Sequence, residues 1–206
     1  MSAQAPASFA FTPDSLVLAK RFIAKYPAGH PQSAVMPLLD LAQRQEGWVS
    51  QAAIEAVADM LDMAPIRVQE VATFYTMYNL EPVGTHHVQV CTNICCQLRG
   101  SDDIAAAAKR VLGIGFGETT PDGKFTLSEV ECLGACVNAP MMQIGDDYYE
   151  DLTPDSTGTV REALRRGEVP PAGPQSGRQF SAPEGGPTTL TELNLGPVRP
   201  VGTEKA

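Results

Sequence analysis

Five cysteines stand at positions 91, 95, 96, 132 and 136, all within 46 of the chain's 206 residues. Unrelated core cysteines would scatter along the sequence, whereas ligands of one centre gather. Where thiols stay reduced, such a grouping points to metal binding or redox chemistry before it points to disulfides. Two kinds of centre take four thiolates, a two-iron iron–sulfur cluster and a structural zinc site. The usual zinc knuckle leaves two residues between cysteines, but the gaps here are three or four residues. The sequence also lacks a C-x-x-C pair, which argues against a dithiol oxidoreductase. An iron–sulfur centre is therefore the favoured reading, with a zinc-stabilised scaffold as the alternative. Cys91 and Cys95 repeat the spacing of Cys132 and Cys136, while Cys96 lies one residue further on. Four ligands drawn from five thiols leave Cys95 or Cys96 spare, and spacing alone does not choose between them.

These thiols need elements to hold them. Alternation around Val88 and Val90 predicts a strand from His86 to Cys91, so the first cysteine group follows a strand end. A second strand is predicted from Phe125 to Cys132, placing the other group at a matching position. Two loops at one sheet edge can converge on one site. Gly100 and Gly134 would let backbone come close and offer N–H groups to sulfur. Further strands are expected at 141–144 and 147–150. Ser101 is the expected cap of a helix with Ile104, Ala107, Ala108 and Val111 on one face, and a last helix is expected at about 157–167.

Upstream, residues 14–79 read as helices. Leu16, Ala19, Ile23 and Tyr26 form one stripe capped by Asp14, and Val35, Leu38, Leu39 and Ala42 form a second that ends at Gly47. Ser50 opens a third with Ile54, Val57, Ala58 and Leu61, and Pro65 starts a fourth with Val68, Val71, Ala72 and Tyr75. Four such stripes make a small bundle. The expected class is α+β: an N-terminal extension (1–13), a helical domain (14–80), an α/β domain (81–169) and a tail (170–206). The tail holds seven prolines and six glycines in 37 residues, so it is expected to be disordered or laid on a partner.

Other signals exclude more than they assign. The formal net charge is −9, and residues 80–169 carry 7 Lys/Arg against 14 Asp/Glu. That balance argues against nucleic acid; an acidic surface usually serves solvation, and a basic protein face is the sharper alternative. No apolar run reaches the roughly 18–20 residues that a spanning helix needs, and the first basic residue is Lys20. A cytoplasmic protein without membrane insertion is expected. Gly113, Gly115 and Gly117 follow a helix instead of opening one, so they read as a helix end and a turn and not as a dinucleotide loop. His86 and His87 are expected as strand residues, one facing in and one out, and with His30 they are not needed as ligands. Trp48, Phe74, Tyr75 and Tyr78 are expected in helix packing, with any exposed member available to anchor a partner.

Three segments carry a resemblance. Ala-Thr-Phe-Tyr-Thr-Met-Tyr at 72–78, Val-Cys-Thr-Asn-Ile-Cys-Cys-Gln-Leu-Arg-Gly at 90–100 and Glu-Cys-Leu-Gly-Ala-Cys-Val-Asn-Ala-Pro at 131–140 resemble the 24-kDa [2Fe–2S] subunit family of respiratory complex I. Residues 38–50, ending in Gly-Trp-Val-Ser, are similar too, and the likeness runs from about residue 15 to residue 167. It implies a helical part followed by a thioredoxin-like domain holding one [2Fe–2S] cluster. The family's ligands fall on Cys91, Cys96, Cys132 and Cys136; Cys95 departs from its usual pattern. The implied role is electron transfer within the NADH dehydrogenase part of NADH–quinone oxidoreductase, by exchange of single electrons with the FMN of a neighbouring flavoprotein subunit. The flavoprotein, which holds NADH and FMN, and a large iron–sulfur subunit are the implied partners. The implied location is peripheral, on the cytoplasmic side of a bacterial inner membrane. Similar subunits of NAD-linked formate dehydrogenases and NAD-reducing hydrogenases are the alternative parents.

Overall fold

The chain is described by a computed structural model at residue 6, residues 8–186 and residues 188–189. The elements in order are α1 (Pro13–Ile23), a 3₁₀ turn (Pro31–Ala34), α2 (Val35–Glu46), α3 (Gln51–Leu61), α4 (Pro65–Phe74), β1 (His86–Cys91), α5 (Ile94–Leu98) and α6 (Ser101–Leu112). They continue with β2 (Glu118–Thr119), β3 (Phe125–Val130), a 3₁₀ turn (Cys136–Asn138), β4 (Met142–Ile144), β5 (Asp147–Glu150), α7 (Pro154–Arg165) and β6 (Gly173–Pro174). Strand order is β2-β3-β1-β4-β5-β6, so the α+β class holds. The chain divides into two compact units, Met1–Gln89 with Lys109–Glu129, and Val90–Ala108 with Val130–Ala206.

In the first unit the helical stripes become a core. Ala19, Leu38, Leu39, Val57, Ala58, Leu61, Val68 and Ala72 are buried together, with Tyr78 closing the cluster. The Tyr78 hydroxyl donates to the Met36 carbonyl at 2.9 Å. Gly47 takes φ +85° and ends α2, and Ser50 caps α3 by accepting from the Ala53 N–H. Other expectations shift. Thr12, not Asp14, caps α1, because Pro13 at the first helical position moves the start back two residues. The helix stops at Ile23, so Tyr26 leaves the stripe and is exposed. Phe74 and Tyr75 sit at the end of α4 as an exposed edge-to-face pair, with Tyr78 alone of the three in the core. His86 and His87 are both half-buried, not one in and one out. His86 lies against the Phe125 ring and His87 Nε2 is 2.8 Å from Ser128 Oγ. Burial lowers both imidazole pKa values, with Lys124 adding to the effect at His86. Gly113 at φ +72° donates to Lys109 O as α6 ends, as a helix stop should.

In the second unit, β4 and β5 form an antiparallel hairpin with Met142 opposite Tyr149 and Ile144 opposite Asp147. β6 then runs parallel to β5, pairing Tyr149 with Gly173. β4 begins one residue later than expected, and α7 begins three earlier, at Pro154. There Thr153 and Ser156 form a reciprocal capping box. Ser101 opens α6 but does not cap it; its buried hydroxyl has no partner among the described residues. Of the proline- and glycine-rich stretch, residues 170–186 are described, whereas residue 187 and residues 190–206 lie outside the described residues.

Candidate metal centre

All five cysteines are free thiols and all belong to the second unit. Cys91 is the last residue of β1, and its N–H donates to Met141 O at 3.2 Å. The chain then turns at Thr92, whose N–H bonds Val130 O at 3.2 Å, and enters α5. Asn93 caps that short helix by accepting from Ile94 N at 2.9 Å. Its amide also donates to Glu131 Oε2 at 2.5 Å, which ties the first cysteine loop to the residue before Cys132. β3 ends at Val130, two residues short of the expected Cys132, so Cys132 stands on a loop and Cys136 opens the 3₁₀ turn that follows it.

The thiols fall into two touching sets. Cys96 is hydrogen-bonded to Cys91, and both are buried against Ala139 and Met141, with Leu133, Ala135 and Tyr148 packed beside them. Cys132 and Cys136 have their sulfurs 3.3 Å apart, and Cys136 also contacts Cys95. These three are exposed. Cys95 therefore joins the exposed set and Cys96 the buried one. Among the described residues no group of three or more His, Cys, Asp or Glu side chains is placed to hold a single metal ion.

The surroundings set the thiol chemistry. Burial, with the bond to Cys91, pushes the Cys96 thiol up to about 12, opposed by a backbone N–H from Met141. Cys136 rises to about 11 because it donates to Cys132 and Cys95. Cys132 goes the other way, since the Gly134 N–H donates to its sulfur at 3.4 Å and Cys136 adds a second donor. Gly134 reaches that position with φ +87°, a conformation that side-chain-bearing residues seldom adopt. The expected backbone donor to sulfur is present at this glycine.

The donor set fits an iron–sulfur group. Two thiolates at about 2.3 Å from one tetrahedral metal lie about 3.8 Å apart, so the 3.3 Å pair needs only a small opening. Backbone N–H groups aimed at sulfur are the outer contacts that orient such ligands.

Several residues that support this loop escape sequence reasoning. The Tyr148 hydroxyl donates to Leu133 O at 2.8 Å, between Cys132 and Cys136. The Asn138 amide donates to Glu150 Oε2 at 2.7 Å and to Phe180 O at 3.0 Å. Asn138 is part of the quoted Val-Asn-Ala-Pro segment, so the sequence marks its place without its role. Tyr148 and Glu150 alternate on a short strand, and Phe180 stands in the proline-rich segment, where no periodicity gives a signal.

The family model described as thioredoxin-like [2Fe-2S] ferredoxin matches residues 19–165. A protein of Dictyostelium discoideum named mitochondrial NADH dehydrogenase [ubiquinone] flavoprotein 2 is 52% identical over 190 residues, covering 92% of this chain and 77% of its own. An NADH-quinone oxidoreductase subunit of Rickettsia conorii is 58% identical over 159 residues, covering 77% of this chain and 95% of its own. Among solved structures, an NAD+-reducing [NiFe]-hydrogenase in the H2-reduced state superposes with a TM-score of 0.56 at 16% identity. That match covers 65% of this chain but only 22% of the hydrogenase chain, and the likeness is one of fold.

Proposed function

The chain belongs to the thioredoxin-like [2Fe-2S] ferredoxin family, and from that membership we propose that it is the electron-transfer subunit of the NADH dehydrogenase part of a respiratory NADH–quinone oxidoreductase. The reading is carried by one observation: thiols from two separate stretches of chain come into contact within one compact unit, Cys91 with Cys96 and Cys136 with Cys95 and Cys132, with backbone N–H groups turned toward sulfur. A [2Fe–2S] cluster held there would supply one-electron chemistry.

Cys91, Cys96, Cys132 and Cys136 would be the four ligands. The burial of Cys96 beside Cys91 supports its choice over the exposed Cys95. Each ligand must lose its proton to bind, and Cys96 and Cys136 are raised thiols that hold theirs firmly. Gly134 N–H and Met141 N–H would stabilise the thiolates that result. Apolar packing from Met141, Ala139 and Leu133 limits water on the buried side.

The partner on the electron-donating side would be a flavoprotein subunit that binds NADH and FMN, with a large iron–sulfur subunit beside it. No described helix is long and apolar enough to cross a membrane, and a peripheral place on the cytoplasmic face of the bacterial inner membrane follows from this assignment. The test is iron and acid-labile sulfide analysis of anaerobically purified chain, with an EPR spectrum after dithionite reduction. Two irons, two sulfides and a spin-½ signal are expected. Zinc without sulfide would replace this reading with a scaffold.

A further inference from the structure

The carbonyls that follow Cys136 are held from outside their own loop. The Asp151 N–H donates to Asn138 O at 2.8 Å. Its carboxylate receives Arg178 through two guanidinium nitrogens, Nε at 2.6 Å and Nη2 to the second oxygen, and Ser176 Oγ adds a bond at 2.8 Å. The same Arg178 Nη2 reaches Val137 O at 2.9 Å, and Nη1 reaches Ala182 O at 3.1 Å. The two charged side chains are only 12% and 10% exposed. A planar fork that spans one carboxylate and two carbonyls is a geometry that Arg supplies and Lys does not.

We propose that Arg178, clasped to Asp151, is a positioning residue for the cluster: it fixes the Val137 carbonyl and with it the Cys136 end of the ligand loop. The segment that carries it would then be part of the metal centre's outer support. Outer contacts of this kind set ligand orientation and slow metal loss. The inference rests on the cluster-binding reading above. It concerns a residue outside the 19–165 span that the family model matches.

The test uses the full chain loaded with its cluster, as wild type, Arg178→Gln, Arg178→Lys and, as a control on an exposed ion pair, Arg166→Gln. Iron release to a chelator is followed together with the EPR g values of the reduced protein. Arg178→Gln is expected to release iron on the order of tenfold faster with a shifted or broadened signal, and Arg178→Lys, which keeps the charge but not the fork, to fall between. Arg166→Gln should match wild type in both. Wild-type release and an unchanged signal in Arg178→Gln would overturn the inference. If neither Arg178 variant folds, hydrogen exchange on the wild-type holo chain decides: a slowly exchanging Arg178 Nε–H, the proton given to Asp151, supports the clasp, and rapid exchange sinks it. Normal loading of wild type with indifferent Arg178 variants defeats this inference alone, whereas a wild type without iron and sulfide defeats the cluster reading beneath it.

Discussion

Cys95 and Cys96 are neighbours in sequence and strangers in surroundings. Both lie on α5, where successive residues point about 100° apart. Cys96 is 2% exposed and touches Cys91, while Cys95 faces outward and touches Cys136. A serine at 96 would therefore put a poor iron ligand at the buried corner. A serine at 95 would remove one of two contacts made by Cys136. Cys96→Ser is expected to lose the cluster and Cys95→Ser to keep two irons and two sulfides with a wild-type EPR signal. The opposite pair of results would make Cys95 the ligand. Spacing could not decide this, because both gaps are compatible with a loop. The quantity that favours Cys96 is burial, which depends on the direction α5 takes after its Asn93 cap.

At the scale of the element, legibility follows the length of the repeat. α2 and α3 bury the residues their stripes nominate, and the Gly47 stop and Ser50 cap act as written. β1 spans His86–Cys91 as its alternation predicts. α5 has five residues and β2 and β6 two each, too few to show a period, so backbone pairing and a cap define them. The contacts of the segment after Cys136 were hidden for a related reason: Arg178, which bonds Val137 O, lies 42 positions from Cys136 in a stretch read only by its composition. The helical unit offers a pH test. Burial first, then the nearby charge of Asp40 and the Tyr75 ring hydroxyl, push Tyr78 up to about 12 from the usual 10.0. The neutral phenol is the form that fits, so its contribution to stability is whole below pH 10 and disappears as the pH climbs from 10 toward 12. Thermal melts across that range should show a steep loss in wild type and a shallower one in Tyr78→Phe. At neutral pH the variant should cost about 1 kcal/mol, the usual net value of one buried hydrogen bond. Equal alkaline slopes would mean that another group governs the loss.

At the scale of the molecule, charge and apolar surface make separate predictions for association with the proposed partner. The chain carries a net charge of −9, with its acidic excess concentrated in residues 80–169. On the two cysteine loops, Ile94, Leu98 and Val137 are 65%, 81% and 69% exposed. Long-range attraction raises the rate of encounter with a basic face and is screened by salt, whereas apolar contact acts after encounter and is not. Electrostatic steering changes on-rates by roughly 10- to 1000-fold. The association rate with the proposed flavoprotein partner should therefore fall at least about tenfold as salt rises from about 50 to 500 mM, a range over which the screening length shrinks to a few ångströms. The dissociation rate should change little with salt but rise in Leu98→Ser and Val137→Ser, which remove apolar surface without touching a thiol. Stopped-flow or surface-based kinetics separate the two rates. A salt-independent on-rate would show that the acidity only keeps the chain soluble. A salt-dependent off-rate that the two serine variants leave unchanged would place the contact on a charged face away from the cysteine loops.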